Sequence, residues 1–117
     1  MANKEATRVY SNLHESSVCD ALGAYKQPNS GAGHWRKGDV RAPQASLLIE
    51  CKCCMSPKDS FSIKKEWIIK NKEEAWTQRL SNSALCFNFE PSGQNYYVID
   101  EKLMRFLVGK LIEEENE

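Results

Sequence analysis

The sequence lacks any long apolar run. Its uninterrupted apolar stretches, such as Leu47-Leu48-Ile49 in the middle of the chain, do not exceed four residues, far short of the about 18 residues of a membrane-spanning helix. The opening residues, Met1-Ala2-Asn3-Lys4-Glu5, lack the apolar segment of a secretory signal. Net charge is missing as well: 16 basic residues balance 16 acidic ones, which argues against a generic polyanion binder. The cysteines do not pair off. Five occur, Cys19, Cys51, Cys53, Cys54 and Cys86, and an odd number without a secretory signal favours free thiols in a reducing cytoplasm. These absences exclude a membrane protein, a secreted precursor and a long disordered chain. The 117 residues, 41% of them hydrophobic, fit one domain with one core. The expectation is a single domain over residues 1–117, with residues 112–117 as a fraying acidic tail.

Charge, balanced in total, is divided along the chain. Residues 1–80 hold 13 Lys or Arg and 9 Asp or Glu, whereas residues 81–117 hold 3 and 7. That split suggests a basic working surface and an acidic end. The run Glu50-Cys51-Lys52-Cys53-Cys54 invites a zinc reading. Structural zinc takes two separated ligand pairs, and this crowded group has no matching second one. It reads instead as small apolar side chains in a strand.

The order of elements is helix, strands, helix, strands, helix. This predicts an α/β (mixed α+β) fold, a central mixed sheet of about five strands flanked by helices. The first helix covers 4–22, with Val9, Leu13, Ala21 and Leu22 at partial helical spacing and Gly23 as its stop. Gln27-Pro28-Asn29-Ser30-Gly31-Ala32-Gly33 is a loop by composition. A short strand starts at Asp39-Val40-Arg41, Pro43-Gln44-Ala45 turns the chain, and residues 46–54 form the clearest strand. Its period of two puts Leu47, Ile49, Cys51 and Cys53 on a core face and Leu48, Glu50, Lys52 and Cys54 on the other. Ser62 caps a helix reaching about Leu80, with Ile69, Trp76 and Leu80 on one side and Lys65, Lys72 and Arg79 on another. Residues 84–89 and 96–99 pair as a hairpin around Glu90-Pro91-Ser92-Gly93. A last helix starts near Asp100, with Leu103, Leu107 and Leu111 on its apolar face beside Met104 and Val108.

The strongest chemical signal is Gly38-Asp39, ten intervening residues, then Glu50-Cys51-Lys52. Charges at the end of a buried strand are costly unless they act. Neighbouring strands would bring Asp39 and Glu50 together, and two converging carboxylates repel unless a cation sits between them. Hard oxygen ligands suit Mg²⁺, with Mn²⁺ as a substitute, and Mg²⁺ also accepts phosphate oxygens. Lys52 shares a face with Glu50, where an ammonium can orient an attacking water or offset transition-state charge.

This pattern resembles that of the restriction-endonuclease-like nucleases, the PD-(D/E)xK superfamily, with Gly38 in place of the proline. More narrowly it is similar to Holliday-junction resolvases of the archaeal type and their phage relatives. Glu15 on the first helix, the Ser30-Gly31-Ala32-Gly33 loop, Gly38-Asp39-Val40 and Glu50-Cys51-Lys52 follow the same order. The likeness covers about residues 10–55; the later half agrees mainly in element order. The resemblance implies that Asp39 and Glu50 hold the divalent metal, with the backbone carbonyl of Cys51 as a further ligand. It makes Lys52 the catalytic lysine and Glu15 the acidic residue completing the site. It also implies that Ser30 touches the scissile region and that the enzyme is a homodimer nicking the two strands of a four-way junction.

DNA contact is expected from Arg36, Lys37 and Arg41 around Asp39, from Lys58, Lys64, Lys65 and Lys72 further on, and from His34 in the glycine loop, because Lys and Arg neutralise phosphates irrespective of base sequence. His14 reads as a surface histidine. Two alternatives stay open on the same residues: a general or restriction-like nuclease, and a non-catalytic DNA-binding subunit.

Overall fold

The computed structural model describes residues 4–27 and 39–116, with the side chains of Lys4 and Glu5 left aside. In chain order the elements are helix α1 (Lys4–Leu22), strands β1 (Tyr25–Lys26), β2 (Asp39–Ala42) and β3 (Leu47–Lys52), helix α2 (Lys65–Thr77), strands β4 (Asn82–Phe87) and β5 (Tyr96–Val98), and helix α3 (Glu101–Glu115). The mixed α/β fold with one central sheet is as the sequence predicts. The strands lie in sequence order, β1-β2-β3-β4-β5. Among the described strands only β3 and β4 are parallel; parallel neighbours need a crossover, and α2 supplies it. A short 3₁₀ turn, Pro43–Ala45, joins β2 to β3. Among the described residues no helix is long and apolar enough to cross a membrane.

The period of two in β3 sorts the core into two layers. Ile49 and Cys51 face the side that also buries Val40, Ala42, Ala84 and Cys86, and α1 closes that side with Val18. Leu48 faces the other side, where Ala75 of α2 and Leu80 cover it. Val9, Leu13 and Leu22 do not form the buried stripe of α1; all three are exposed. The helix buries His14 and Val18, four residues apart, so a histidine takes a place that the apolar pattern does not mark. β1, only two residues long, is also absent from the expected elements.

Helix α2 departs most from the expected boundaries. It starts at Lys65, its N-cap position is Lys64 with no side-chain cap, and Ser62 lies outside it. It ends at Thr77 in a Schellman turn. The Leu80 amide donates to the Ala75 carbonyl at 2.8 Å and the Arg79 amide to Trp76 at 3.0 Å, while Arg79 takes a left-handed φ of 60°. This is the 6→1 and 5→2 pairing that ends many helices, usually with glycine at the left-handed position. Leu80 thus enters the core beyond the helix. Trp76 does not join it: it is 84% exposed, one step round the helix from buried Ala75. Arginine in the left-handed region costs about 1–2 kcal/mol, partly returned by its smaller unfolded-state entropy relative to glycine. Arg79→Gly is therefore expected to stabilise the fold by about 0.5 kcal/mol, read as a higher midpoint in urea.

The C-terminal hairpin forms with Leu85 opposite Val98 and Phe87 opposite Tyr96. α3 follows at once, its first turn capped by Asp100, whose Oδ1 accepts from the Leu103 amide at 2.9 Å. The helix runs through Glu115, so the acidic run expected to fray is helical.

Candidate active site

The β2–β3 register sets Asp39 directly opposite Glu50. Residues opposed across an antiparallel pair point to one face, with Cβ atoms about 4.5–5.5 Å apart. The turn at Pro43–Ala45 fixes this register, because Val40–Ile49, Arg41–Leu48 and Ala42–Leu47 pair in step between it and the carboxylates. Lys52, two residues beyond Glu50, projects to the same face. Its Nζ lies 3.5 Å from Glu50 Oε1 and 4.4 Å from the centre of the Trp67 ring. The ammonium is therefore held between a carboxylate and an aromatic face, a favourable place for a cation. Trp67 sits in the first turn of α2, and Lys64 Nζ approaches the same ring at 5.6 Å.

This group is largely withdrawn from water. Asp39 is 4% exposed, and the Glu50 side chain 13%. Burial pushes the Glu50 carboxyl above its ordinary range; Lys52 opposes that push and Glu74 on α2 adds to it. Glu50 Oε2 is buried with no hydrogen-bond partner among the described residues. A buried carboxylate oxygen without a donor costs free energy, and a cation beside Asp39 and Glu50 would remove that cost. The donor set fits a hard divalent ion, which needs only one or two carboxylates when water and phosphate complete its shell. Cys51, whose backbone carbonyl the resemblance adds to the ligand set, is the next residue of the same strand.

The other expected residues fall at varying distances from this pair. Glu15 is half-buried on α1, the helix that covers the opposite face of the sheet; its charge is felt by the thiols of Cys19 and Cys51. Among the described residues, Glu15, Asp39 and Glu50 do not gather into a three-residue metal group. Arg41 shares the face of Asp39, two residues along, and its Nε is buried without a partner among the described residues. Lys64 lies beside the Lys52–Trp67 contact, whereas Lys72 pairs with Asp100 at the start of α3. Lys58 is exposed in the middle of the segment joining β3 to α2, and Lys65 is exposed at the first position of α2. Ser30, His34, Arg36 and Lys37 lie outside the described residues.

Two features escape the sequence reading. One is Trp67, although Lys64-Lys65-Glu66-Trp67 at a helix start is a legible basic-aromatic signal. Beside it Phe61, Phe87, Phe89 and Tyr96 form a continuous aromatic cluster, with Phe61 stacked on Phe87 at 5.0 Å. The other is His14. Contrary to its reading as a surface residue, it is 3% exposed, with Nε2 3.5 Å from Cys86 Sγ. Burial lowers its pKa, against a smaller opposing pull from the Asn95 side chain, and raises that of Cys86 to about 11. Both groups are thus neutral near pH 7 and belong to the core. The unfolded chain takes up a proton at His14 more readily than the folded one, so stability should fall as pH drops below about 6.5. His14→Gln should remove that part of the slope, seen in thermal midpoints measured between about pH 5 and 7.5.

No family model matches the chain, and no curated protein or solved structure does either; the chemistry of this site rests on its own residues.

Proposed function

We propose that this chain is a metal-dependent DNA endonuclease, acting on four-way junctions or other branched DNA. The observation that carries the reading is the pairing of Asp39 with Glu50 across β2 and β3, with Lys52 on the same face. The substrate class comes from the narrower resemblance to the resolvase-type nucleases, carried by Glu15 and the Ser30-Gly31-Ala32-Gly33 loop together with these residues. Asp39, Glu50 and the Cys51 carbonyl would hold Mg²⁺, which when bound polarises the phosphate and lowers the pKa of water.

The chain's own groups do the rest. Burial holds the Glu50 carboxyl above its ordinary range, so the site favours the positive charge that a bound metal would bring. Lys52, steadied by Trp67 and Glu50, presents an ammonium where negative charge grows on the phosphoryl oxygens. Water adds to phosphorus as the bond to the 3′ oxygen breaks; that oxygen takes a proton, leaving a 5′-phosphate and a 3′-hydroxyl. Lys64, beside the Trp67 ring, and Arg41, on the Asp39 side of β2, would meet flanking phosphates. Two strands must be cut to resolve a junction, so the working unit is a homodimer with one site per copy.

The test is cleavage of an immobile four-way junction beside a matched linear duplex, with Mg²⁺ and then with chelator. Paired, metal-dependent nicks in the junction alone are expected. Equal cutting of the duplex would reduce the reading to a general nuclease. Binding without cutting would replace it by a non-catalytic DNA-binding subunit.

A further inference from the structure

Helix α3 carries its apolar residues outward. Met104, Phe106, Leu107, Val108, Leu111 and Ile112 are 42–61% exposed, and no residue of the helix is buried. Its start is tied to α2 by the Lys72–Asp100 ion pair. A helix of 15 residues without tertiary packing is marginal in water. A contiguous apolar patch of this kind marks an interaction surface.

The charges on α3 decide what covers it. Its first half carries Lys102 and Arg105 with Glu101; its last half carries Glu113, Glu114 and Glu115 with Lys110. The acidic end and scarcity of free cations disfavour DNA phosphates and anionic lipid. A second α3 in the parallel sense would bring the acidic ends of both copies together. In the antiparallel sense each acidic end meets the Lys102 and Arg105 end of its partner, and the helix dipoles oppose. A two-fold axis beside Leu107 and Val108 then lets one patch cover itself.

We propose that α3 is the self-association surface of this protein, pairing antiparallel with α3 of a second copy across that axis. The surface argument is independent of the nuclease reading, and its test requires no cleavage.

The experiment is sedimentation equilibrium of the full chain. Wild type should dimerise at micromolar concentration, and Leu107→Lys with Leu111→Lys should weaken the dimer at least about a hundredfold with an unchanged circular dichroism spectrum of the body. Two charge variants avoid the apolar seam altogether. Lys102→Glu with Arg105→Glu, and Glu113→Lys with Glu114→Lys and Glu115→Lys, should each weaken self-association about tenfold or more. Mixing the two should restore a mixed dimer of near wild-type strength. A wild-type chain that stays monomeric at about a hundred micromolar overturns the proposal. So does a dimer indifferent to the leucine substitutions, or charge variants that fail to recover on mixing.

Discussion

Asp39→Asn is expected to slow metal-dependent cleavage at least about a hundredfold while DNA binding stays equal or tightens. The carboxamide keeps the shape of Asp39 but removes the charge that, with Glu50, would hold the cation. Removing an anion from a surface that receives phosphate also removes repulsion. Single-turnover cleavage and a metal-free binding assay separate the two effects. Lys52→Ala should lose cleavage for a different reason, because the ammonium between Glu50 and Trp67 is gone while both carboxylates remain. An Asp39→Asn variant that cut at the wild-type rate would remove Asp39 from the chemistry.

Leu48→Ala should cost about 2–5 kcal/mol of folding stability. Leu48 is fully buried between the sheet and α2, against Ala75 and Leu80, so truncation leaves a cavity that rigid neighbours cannot fill. Trp76→Ala, one residue from Ala75 on the same helix, should change stability by only about 0.5 kcal/mol or less, because that indole stands in solvent. Urea unfolding of the two variants checks both. The contrast matters for the site: Leu48 lies two residues before Glu50 on the same face of β3, and the packing beneath α2 holds Trp67 over Lys52. A domain with a total stability of about 5–15 kcal/mol depends heavily on that one leucine.

The carboxylate pair is legible in the sequence because two local signals agree. Pro43-Gln44-Ala45 marks a reversal, and the alternation of residues 47–52 fixes which side chains share a face; together they set Asp39 opposite Glu50. The same rule places Ile49 and Cys51 in the core. Helices are less legible in their faces than in their existence. On α1 the apolar residues Val9 and Leu13 point to solvent, and His14 with Val18 meets the sheet; hydropathy cannot favour a histidine that the sheet accepts through Cys86. The end of α2 is hidden because its Schellman turn uses Arg79 where glycine would have announced it. The apolar stripe of α3 is plain as a stripe, but residue types alone do not say whether a stripe has a partner. Glu15 shows a further limit: a helix position in sequence does not tell which side of a sheet the helix will cover.

The most direct test of the central claim is Mn²⁺ binding followed by electron paramagnetic resonance, with DNA present, on wild type, Asp39→Asn and Glu50→Gln. The account predicts specific Mn²⁺ binding by wild type, weakened about tenfold or more in either variant. Glu50→Gln should also be more heat-stable in the absence of metal, because a buried carboxylate lifted above its ordinary pKa opposes folding when ionised. Mn²⁺ binding that is absent from wild type, or unchanged when both carboxylates are replaced, would contradict it.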